Sequence, residues 1–310
     1  MSTVAVLDIG SNSIKILVAG RDERGRLQTV FQDARDARIS TGINAARPVL
    51  GEDGMQRGLA AVQELLAAAA VHSPERAILV ATSAVRDAAN GAEFAARIAR
   101  ATGFELRILT GEEEANAIGR GLTGDPTLED LQDFHVFDLG GGSLECLTFH
   151  GRRVAQALSL PLGCVRLTEK FVSDPAAPLS TDTRHALARH VQAALDEAGF
   201  RFDLPFPIAV ATGGTVVSMR AIRAARQGVA LEDTSPIVTL RYMRELLEQI
   251  GGLSLAERRA IPGLPPARAD VFPAALATLV AVAEQAKVTA FRHSFYNLRY
   301  GLATELLDAG

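Results

Sequence analysis

The feature that most constrains this 310-residue chain is a β-hairpin pattern that occurs twice. A β-rich run, Val4–Asp8, ends in an aspartate and leads through a short polar turn into a second run, Ile14–Ala19. His135–Asp138 and Glu145–Phe149 repeat the arrangement around a glycine-rich turn. The positions that match in one register are Asp8 with Asp138, Gly10 with Gly140, Ser13 with Ser143 and Lys15 with Glu145. The spacing of the two copies is far longer than the ~20–50 residues of repeat arrays, so it indicates two related domains.

The order of the other elements agrees with two α/β domains. Predicted helices alternate with short apolar strands, which is typical of the α/β class. The length exceeds the roughly 250–300 residues that one core accommodates, so a cleft between two domains is expected. The predicted domains are residues 1–122 and 123–293, with a last helix at about 294–310 packing back on the first. The remaining predicted elements are helices at 53–70, 92–102, 111–122 and from 216, and strands at 77–82, 104–108 and 208–211.

Composition excludes several classes of protein. A net charge of -4 gives no overall attraction to nucleic acid or to an anionic membrane. The first residues lack a basic segment followed by an apolar one, and no run approaches ~20 apolar residues, so a cytoplasmic protein without a membrane anchor is expected. The six histidines show no ligand spacing and do not predict a zinc site. Cys146 and Cys164 are expected to be buried thiols in a reducing compartment.

The turns of the two hairpins have the residue types that bind phosphate. A strand that ends in aspartate and turns through Gly and Ser places a carboxylate and several backbone N–H groups at one sheet edge. Asp8 and Asp138 are predicted to hold hydrated Mg²⁺ or Mn²⁺, with turn capping as the alternative. Glycine in the second turn lets the backbone approach phosphate closely. The predicted phosphate ligands are Gly10, Ser11, Asn12, Ser13 and Lys15 in the first turn, Gly140, Gly141, Gly142 and Ser143 in the second, and Gly213, Gly214 and Thr215 in a later one.

Three consecutive glutamates begin the helix predicted at 111–122, and they have different expected tasks. Thr110 and Glu113 have the spacing of a capping box, so Glu113 is expected to be structural. Glu114 lies beside the buried face of the helix, one turn before Ile118, whereas Glu112 points farther away. Glu114 is therefore the carboxylate expected to be held near the interior.

Arginines supply candidate cationic contacts. Arg86 follows an apolar strand at its carboxyl end, where ligands of open α/β sheets bind, and is expected to contact phosphate; a surface ion pair is the alternative. Arg220, Arg223 and Arg226 recur every three residues on one helix. They predict either a solvated face or a track for a phosphate chain.

Several ordered motifs together resemble the Ppx/GppA phosphatases, which comprise exopolyphosphatases and guanosine pentaphosphate phosphohydrolases within the actin-like superfamily. The motifs are Asp8–Ser13, Ala81–Arg86, Gly111–Ala115, Asp138–Glu145, Leu160–Gly163, Arg268–Asp270 and Leu298–Leu302. The resemblance implies two actin-like (ribonuclease H-like) domains with an interdomain cleft, and a homodimer is a further guess from the family. Longer members carry an HD-type module after this core, so a short form without it is expected.

The resemblance also implies roles for individual residues. It places the family's catalytic glutamate, the one before alanine, at Glu114, a family arginine that is expected to bind phosphate at Arg166, and an essential role at Glu145. The expected activity is Mg²⁺-dependent release of terminal orthophosphate from inorganic polyphosphate, with Glu114 orienting and deprotonating water. Glu145 either holds water or helps bind the metal.

Other functions stay open at this point. Guanosine pentaphosphate or a nucleoside triphosphate is the alternative substrate in the same class. A sugar or acetate-type kinase shares the superfamily hairpins, and a polyphosphate or alarmone sensor without turnover is the non-enzymatic alternative.

Overall fold

The computed structural model describes residues 2–204 and 206–309 and divides the chain into two compact units. Unit 1 comprises Met1–Asp130 and Tyr296–Gly310, and unit 2 comprises Leu131–Phe295. The boundaries thus fall after residues 130 and 295, a few residues beyond those that the sequence analysis placed after 122 and 293. Each unit contains one sheet, and each is described by itself.

The sheet of unit 1 has five strands in the order β3-β2-β1-β4-β5. Its strands are β1 (Thr3–Ile9), β2 (Ile14–Arg21), β3 (Leu27–Arg35), β4 (Arg76–Ala81) and β5 (Leu106–Ile108). β1, β2 and β3 form an antiparallel meander, and β4 and β5 continue the sheet in parallel to β1. β1 and β2 are mostly buried, which agrees with the apolar residues that make up most of both strands, and Asp8 and Lys15 are only partly buried.

The sheet of unit 2 has six strands in the order β10-β11-β9-β6-β7-β8. Its strands are β6 (Phe134–Leu139), β7 (Leu144–His150), β8 (Arg153–Leu160), β9 (Ile208–Thr212), β10 (Ile237–Thr239) and β11 (Ala290–His293). Without the edge strand β10, the order and directions repeat those of unit 1. This equivalence confirms the predicted α/β class with two related domains.

Eleven α-helices are present in the described part of the chain. Those of unit 1 are α1 (Glu52–Ala70), α2 (Ser83–Arg86), α3 (Gly91–Thr102), α4 (Gly111–Thr123) and α11 (Leu298–Asp308). Those of unit 2 are α5 (Cys164–Phe171), α6 (Thr181–Glu197), α7 (Gly214–Gln227), α8 (Leu240–Gly251), α9 (Leu255–Arg259) and α10 (Phe272–Gln285). Short 3₁₀ helices lie at Pro126–Leu128 and Pro266–Arg268. Within residues 2–204 and 206–309, no helix has the length and apolar character needed to cross a membrane.

The last helix of the chain lies against α4 in unit 1. Gly121 of α4 and Gly301 of α11 form the closest approach, because a Cβ on either would overlap backbone atoms of the other segment. α4 and α11 therefore pack backbone to backbone, and α11 supports the helix that carries Glu114.

Three strands were not predicted from the sequence. β8, β10 and β11 lie in segments with mixed polarity, and β8 in particular has only partly buried residues along most of its length. β5 is also shorter than the predicted strand at 104–108. These strands depend on pairing with distant partners, which a local pattern does not show.

Candidate active site

The register of the two hairpins places equivalent residues at equivalent positions. Asp8 of β1 pairs with Lys15 of β2, and Asp138 of β6 pairs with Glu145 of β7. Residues paired across neighbouring strands project to the same face of a sheet. The aspartate thus faces a cation in unit 1 and a second carboxylate in unit 2.

The first turn is a buried polar segment of unit 1. Ser11, Asn12 and Ser13 are each less than a tenth exposed. The Oγ atoms of Ser11 and Ser83 lie 3.2 Å apart, and Asn12 Oδ1 accepts a hydrogen bond from Arg38 Nε at 2.9 Å. These contacts fix the turn after β1, which contains the first set of predicted phosphate ligands.

In the second turn, the backbone carbonyls of Gly140–Gly142 are all bound by the start of α5. Gly163 immediately before this helix needs to be glycine, since a Cβ there would overlap the backbone of the turn. The hydrogen bonds run from Cys164 N to Gly140 O at 3.0 Å, from Val165 N to Gly141 O at 2.8 Å and from Arg166 Nε to Gly142 O at 3.1 Å.

This arrangement determines where the N–H groups of the second turn point. In a trans peptide the carbonyl of one residue and the N–H of the next point in opposite directions. Because the carbonyls of Gly140–Gly142 point toward α5, the N–H groups of Gly141–Ser143 point away from it. Successive N–H groups directed to one side form a nest for an anion. The geometry therefore suits phosphate binding at this turn, as the sequence predicts.

Arg166, which is predicted to bind phosphate, also contacts the backbone of the second turn. Its guanidinium binds the Gly142 carbonyl, so this side chain holds the turn itself. Direct contact of Arg166 with phosphate stays a prediction.

The third turn begins α7 and lies beside Asp138. Gly213 has a φ of 94°, and a Cβ there would lie 2.7 Å from Asp138 Oδ1. The guanidinium of Arg268 packs directly on Gly214, where any side chain would overlap it. α7 has no side-chain cap and no acidic residue in its first turn. No role was predicted for Arg268, although its Arg-x-Asp motif was a signal in the sequence.

The carboxylates of unit 2 fit a hydrated divalent cation. Thr212, Asp138 and Glu145 are neighbours across β9, β6 and β7. The Thr212 Oγ1 atom is buried without a hydrogen-bond partner among the described residues. No group of three or more His, Cys, Asp or Glu among those residues could hold a metal by itself. Mg²⁺ is commonly bound by one or two carboxylates together with water and phosphate oxygens. Asp138 and Glu145 can supply the carboxylates.

Glu114 lies at the start of α4 and is 6 % exposed, as predicted. Arg86 Nη1 donates to Glu114 Oε2 at 2.8 Å and to the Leu109 carbonyl at 3.1 Å. The Arg86 side chain is only 22 % exposed, so this contact is not the surface ion pair that the sequence analysis weighed against phosphate binding. The bond compensates the charge of a buried carboxylate and holds its orientation.

Glu113 forms the predicted capping box with Thr110, and it also binds Arg107. The Arg107 hydrogen bond and the Thr110 backbone N–H lower the pKa of Glu113 to about 2. A carboxyl group whose pKa is lowered on folding stabilises the fold at pH values above its ordinary pKa of 4.5. This stabilisation is lost as the pH falls from there toward 2.

We expect Glu113→Gln to lower the free energy of unfolding at pH 7 by about 1 kcal/mol, because the group is partly exposed. Urea unfolding at pH 7 and pH 3 measures the change, which should shrink at the lower pH. Glu112→Gln is the control, since Glu112 is exposed. A loss that is equal at both pH values would contradict the capping account.

The predicted arginine stripe on α7 is wrong in both of its interpretations. Arg220 is 3 % exposed, and its guanidinium binds His293 Nδ1 at 2.8 Å and Thr234 Oγ1 at 3.1 Å. Arg223 binds the Ile237 carbonyl at 2.9 Å. Arg226 is exposed and binds Gln249 Oε1 at 2.7 Å. Because Arg220 is buried, the three side chains share neither one solvated face nor a phosphate track.

Burial of the Arg220–His293 pair predicts a response to acid. Burial, followed by the nearby Arg220 charge, lowers the pKa of His293 to about 3. A histidine with a lowered pKa resists protonation in the fold but not in the unfolded chain. The fold therefore loses stability as the pH falls from about 6.5 toward 3, by at most roughly 1.4 kcal/mol per pH unit from this residue.

We expect His293→Asn to make the free energy of unfolding fall less steeply between pH 6.5 and 4, because its amide oxygen accepts from Arg220 without titrating. Urea titrations at several pH values measure this slope. His185, which lies outside this cluster, provides the matched substitution His185→Asn. An unchanged slope in His293→Asn would show that another group governs the acid response.

The two domains have equivalent topology, and each has a carboxylate at the end of its first strand followed by a glycine-serine turn. These features are typical of a protein that acts on phosphate compounds. The family model for the Ppx/GppA phosphatase family matches residues 17–309, nearly the whole chain. The chain belongs to the Ppx/GppA phosphatase family and is a phosphoanhydride hydrolase, as the sequence predicts.

Solved structures with the same fold span the full chain. An exopolyphosphatase from Cytophaga hutchinsonii is 23 % identical with a TM-score of 0.89, covering 99 % of this chain and 98 % of its own. The PPX-GPPA enzyme of Aquifex aeolicus is 24 % identical with a TM-score of 0.78, covering 98 % and 99 %. An exopolyphosphatase-like protein is 25 % identical with a TM-score of 0.87, covering 99 % of both chains. These similarities extend over both units.

Proposed function

We propose that this protein is an exopolyphosphatase, which releases terminal orthophosphate from inorganic polyphosphate with the help of Mg²⁺. The observation that carries the proposal is Glu114, a carboxylate buried at the start of α4 and oriented by Arg86. The anion nest of the second turn supports it, because a phosphate chain presents the oxygens that such N–H groups bind.

In the proposed reaction Glu114 orients a water molecule and accepts its proton as the oxygen attacks the terminal phosphorus. The bond from that phosphorus to the bridging oxygen breaks, and the shortened polyphosphate leaves with the bridging oxygen. Hydrolysis of an anhydride needs mainly positioning and charge stabilisation, so no covalent enzyme intermediate is required.

In the proposal, the other predicted site residues bind either the phosphate chain or the metal ion. The N–H groups of the glycine turns and Lys15 bind the phosphate chain. Asp8, Asp138 and Glu145 are the carboxylates on the metal side. Mg²⁺, when bound, would neutralise charge on the transferring phosphoryl group. Arg86 orients the Glu114 carboxylate through its hydrogen bond. In the proposal, Arg86 also contacts phosphate.

Guanosine pentaphosphate is the second candidate substrate, because the Ppx/GppA phosphatases, which the sequence motifs resemble and whose family model matches this chain, comprise hydrolases of both substrates. Both substrates have a terminal phosphoryl group on an anhydride oxygen, so the same chemistry serves either. We also propose a cytoplasmic location, supported by Cys146 and Cys164, which are both free buried thiols.

Hydrolysis in ¹⁸O-labelled water tests the proposed reaction against the kinase and sensor alternatives. Pure protein is incubated with polyphosphate and Mg²⁺, and the released orthophosphate is analysed by mass spectrometry. The proposal expects turnover that EDTA abolishes, with one ¹⁸O atom in each orthophosphate. Absence of turnover would favour a sensor, and phosphate transfer to an added sugar or acetate would favour a kinase.

A further inference from the structure

A row of polar side chains crosses the sheet of unit 2 at the end of the second hairpin. Thr212, Asp138, Glu145 and Ser159 are neighbours in register on β9, β6, β7 and β8. Neighbouring residues in register project to the same face. Ser159 is therefore on the same side of the sheet as the two carboxylates, and it was not among the predicted site residues.

Ser159 makes a direct contact with one of these carboxylates. Its Oγ donates a hydrogen bond to Glu145 Oε1 at 2.7 Å. Glu145 is only 2 % exposed, so its carboxylate depends on protein contacts for its orientation. The last torsion of a glutamate is soft and broadly distributed. A short hydrogen bond to one oxygen restricts this torsion.

The strand that carries Ser159 is itself fixed relative to the phosphate turn. β8 ends at Leu160, and four residues later α5 begins with N–H groups bound to the carbonyls of Gly140 and Gly141. Gly163 packs directly on the same turn. One continuous segment thus contacts both the carboxylate and the backbone that forms the anion nest.

We propose that Ser159 is a positioning residue, which holds the Glu145 carboxylate in the orientation that it needs on the metal side of the site. The inference rests on the proposed function, since it assumes the metal-side task of Glu145. Hydrogen bonds that orient ligating carboxylates are typically worth 10–100-fold in metal affinity or activity, as an order of magnitude.

The test compares Ser159→Ala, which removes the donor, with Ser159→Thr, which keeps a hydroxyl and suits a strand. We expect Ser159→Ala to lower kcat for phosphate release roughly 10-fold with KM within about twofold, and Ser159→Thr to keep most of the activity. Thr148→Val is the matched control. It removes a buried hydroxyl that bonds His135 at 3.0 Å from β7, without contacting Glu145, and should leave kcat unchanged.

Two further measurements separate positioning from a general structural effect. In a Glu145→Gln background, adding Ser159→Ala should have little further effect on kcat, because both changes disturb one group. Calorimetric titration of the substrate-free protein with Mn²⁺ should show weaker binding in Ser159→Ala and near-normal binding in Ser159→Thr.

The proposal would be overturned if Ser159→Ala retained wild-type kcat and Mn²⁺ affinity, or if its effect on kcat were undiminished in the Glu145→Gln background. The Mn²⁺ titration uses no substrate. A protein that binds Mn²⁺ as expected but does not hydrolyse polyphosphate would therefore contradict the proposed function and leave the role of Ser159 supported.

Discussion

Replacing Glu114 by glutamine is expected to lower kcat for phosphoanhydride hydrolysis by roughly 10²–10⁴-fold. Glutamine has nearly the same shape as glutamate and keeps an oxygen that can accept from Arg86, so the fold should be preserved. What it loses is the capacity to accept a proton from the attacking water. Orthophosphate release under saturating polyphosphate measures the effect, and thermal unfolding checks the fold.

Glu113→Gln is a matched control for that experiment, because it makes the same chemical change at the adjacent residue. Glu113 caps α4 and binds Arg107, so its substitution should affect stability far more than turnover. Comparable activity of Glu114→Gln and the wild type would remove Glu114 as the general base. Equal losses in both variants would attribute the effect to the helix rather than to the carboxylate.

Gly301→Ala is expected to destabilise unit 1 by about 3 kcal/mol or more, because overpacking at rigid backbone atoms has no flexible side chain to relax. The added Cβ would overlap the carbonyl oxygen of Ala117 on α4. Ala117 lies one turn after Glu114, so separation of α11 from α4 should also lower activity. Urea unfolding followed by far-UV circular dichroism gives the change in free energy.

Gly251→Ala provides the control for glycine substitution in a helix. Gly251 ends α8, and the nearest atom to its added Cβ would lie 3.9 Å away, an ordinary contact. This variant should be at least as stable as the wild type, because alanine favours a helix more than glycine does. If Gly301→Ala unfolded at the same urea concentration as Gly251→Ala, the close packing of α4 on α11 would be wrong.

Local patterns predicted the parts of this fold that depend on near neighbours in sequence. The hairpin at Asp138–Glu145 follows from alternating β-rich runs around a glycine turn, and its partner in unit 1 follows from the same pattern. The capping box of Thr110 and Glu113 requires only a spacing of three residues. Burial of Glu114 follows from its place beside the apolar face of α4.

Features that depend on distant partners were missed or misjudged. The spacing of Arg220 with Arg223 suggested a charged surface, yet Arg220 is buried because His293 and Thr234, far away in sequence, surround its guanidinium. Ser159 lies on a strand without a strong pattern, and its contact with Glu145 exists only after β7 and β8 pair. A single sequence contains no physical signal for either contact.

The most direct test of the central claim compares substrates with one preparation of the protein. Initial rates of orthophosphate release in Mg²⁺ are measured with long polyphosphate, short polyphosphate and guanosine pentaphosphate, and kcat/KM is obtained for each. An exopolyphosphatase should show a larger kcat/KM for polyphosphate than for guanosine pentaphosphate, and Glu114→Gln should lose activity on both. A larger kcat/KM for guanosine pentaphosphate, or no release from polyphosphate, would contradict the proposed function.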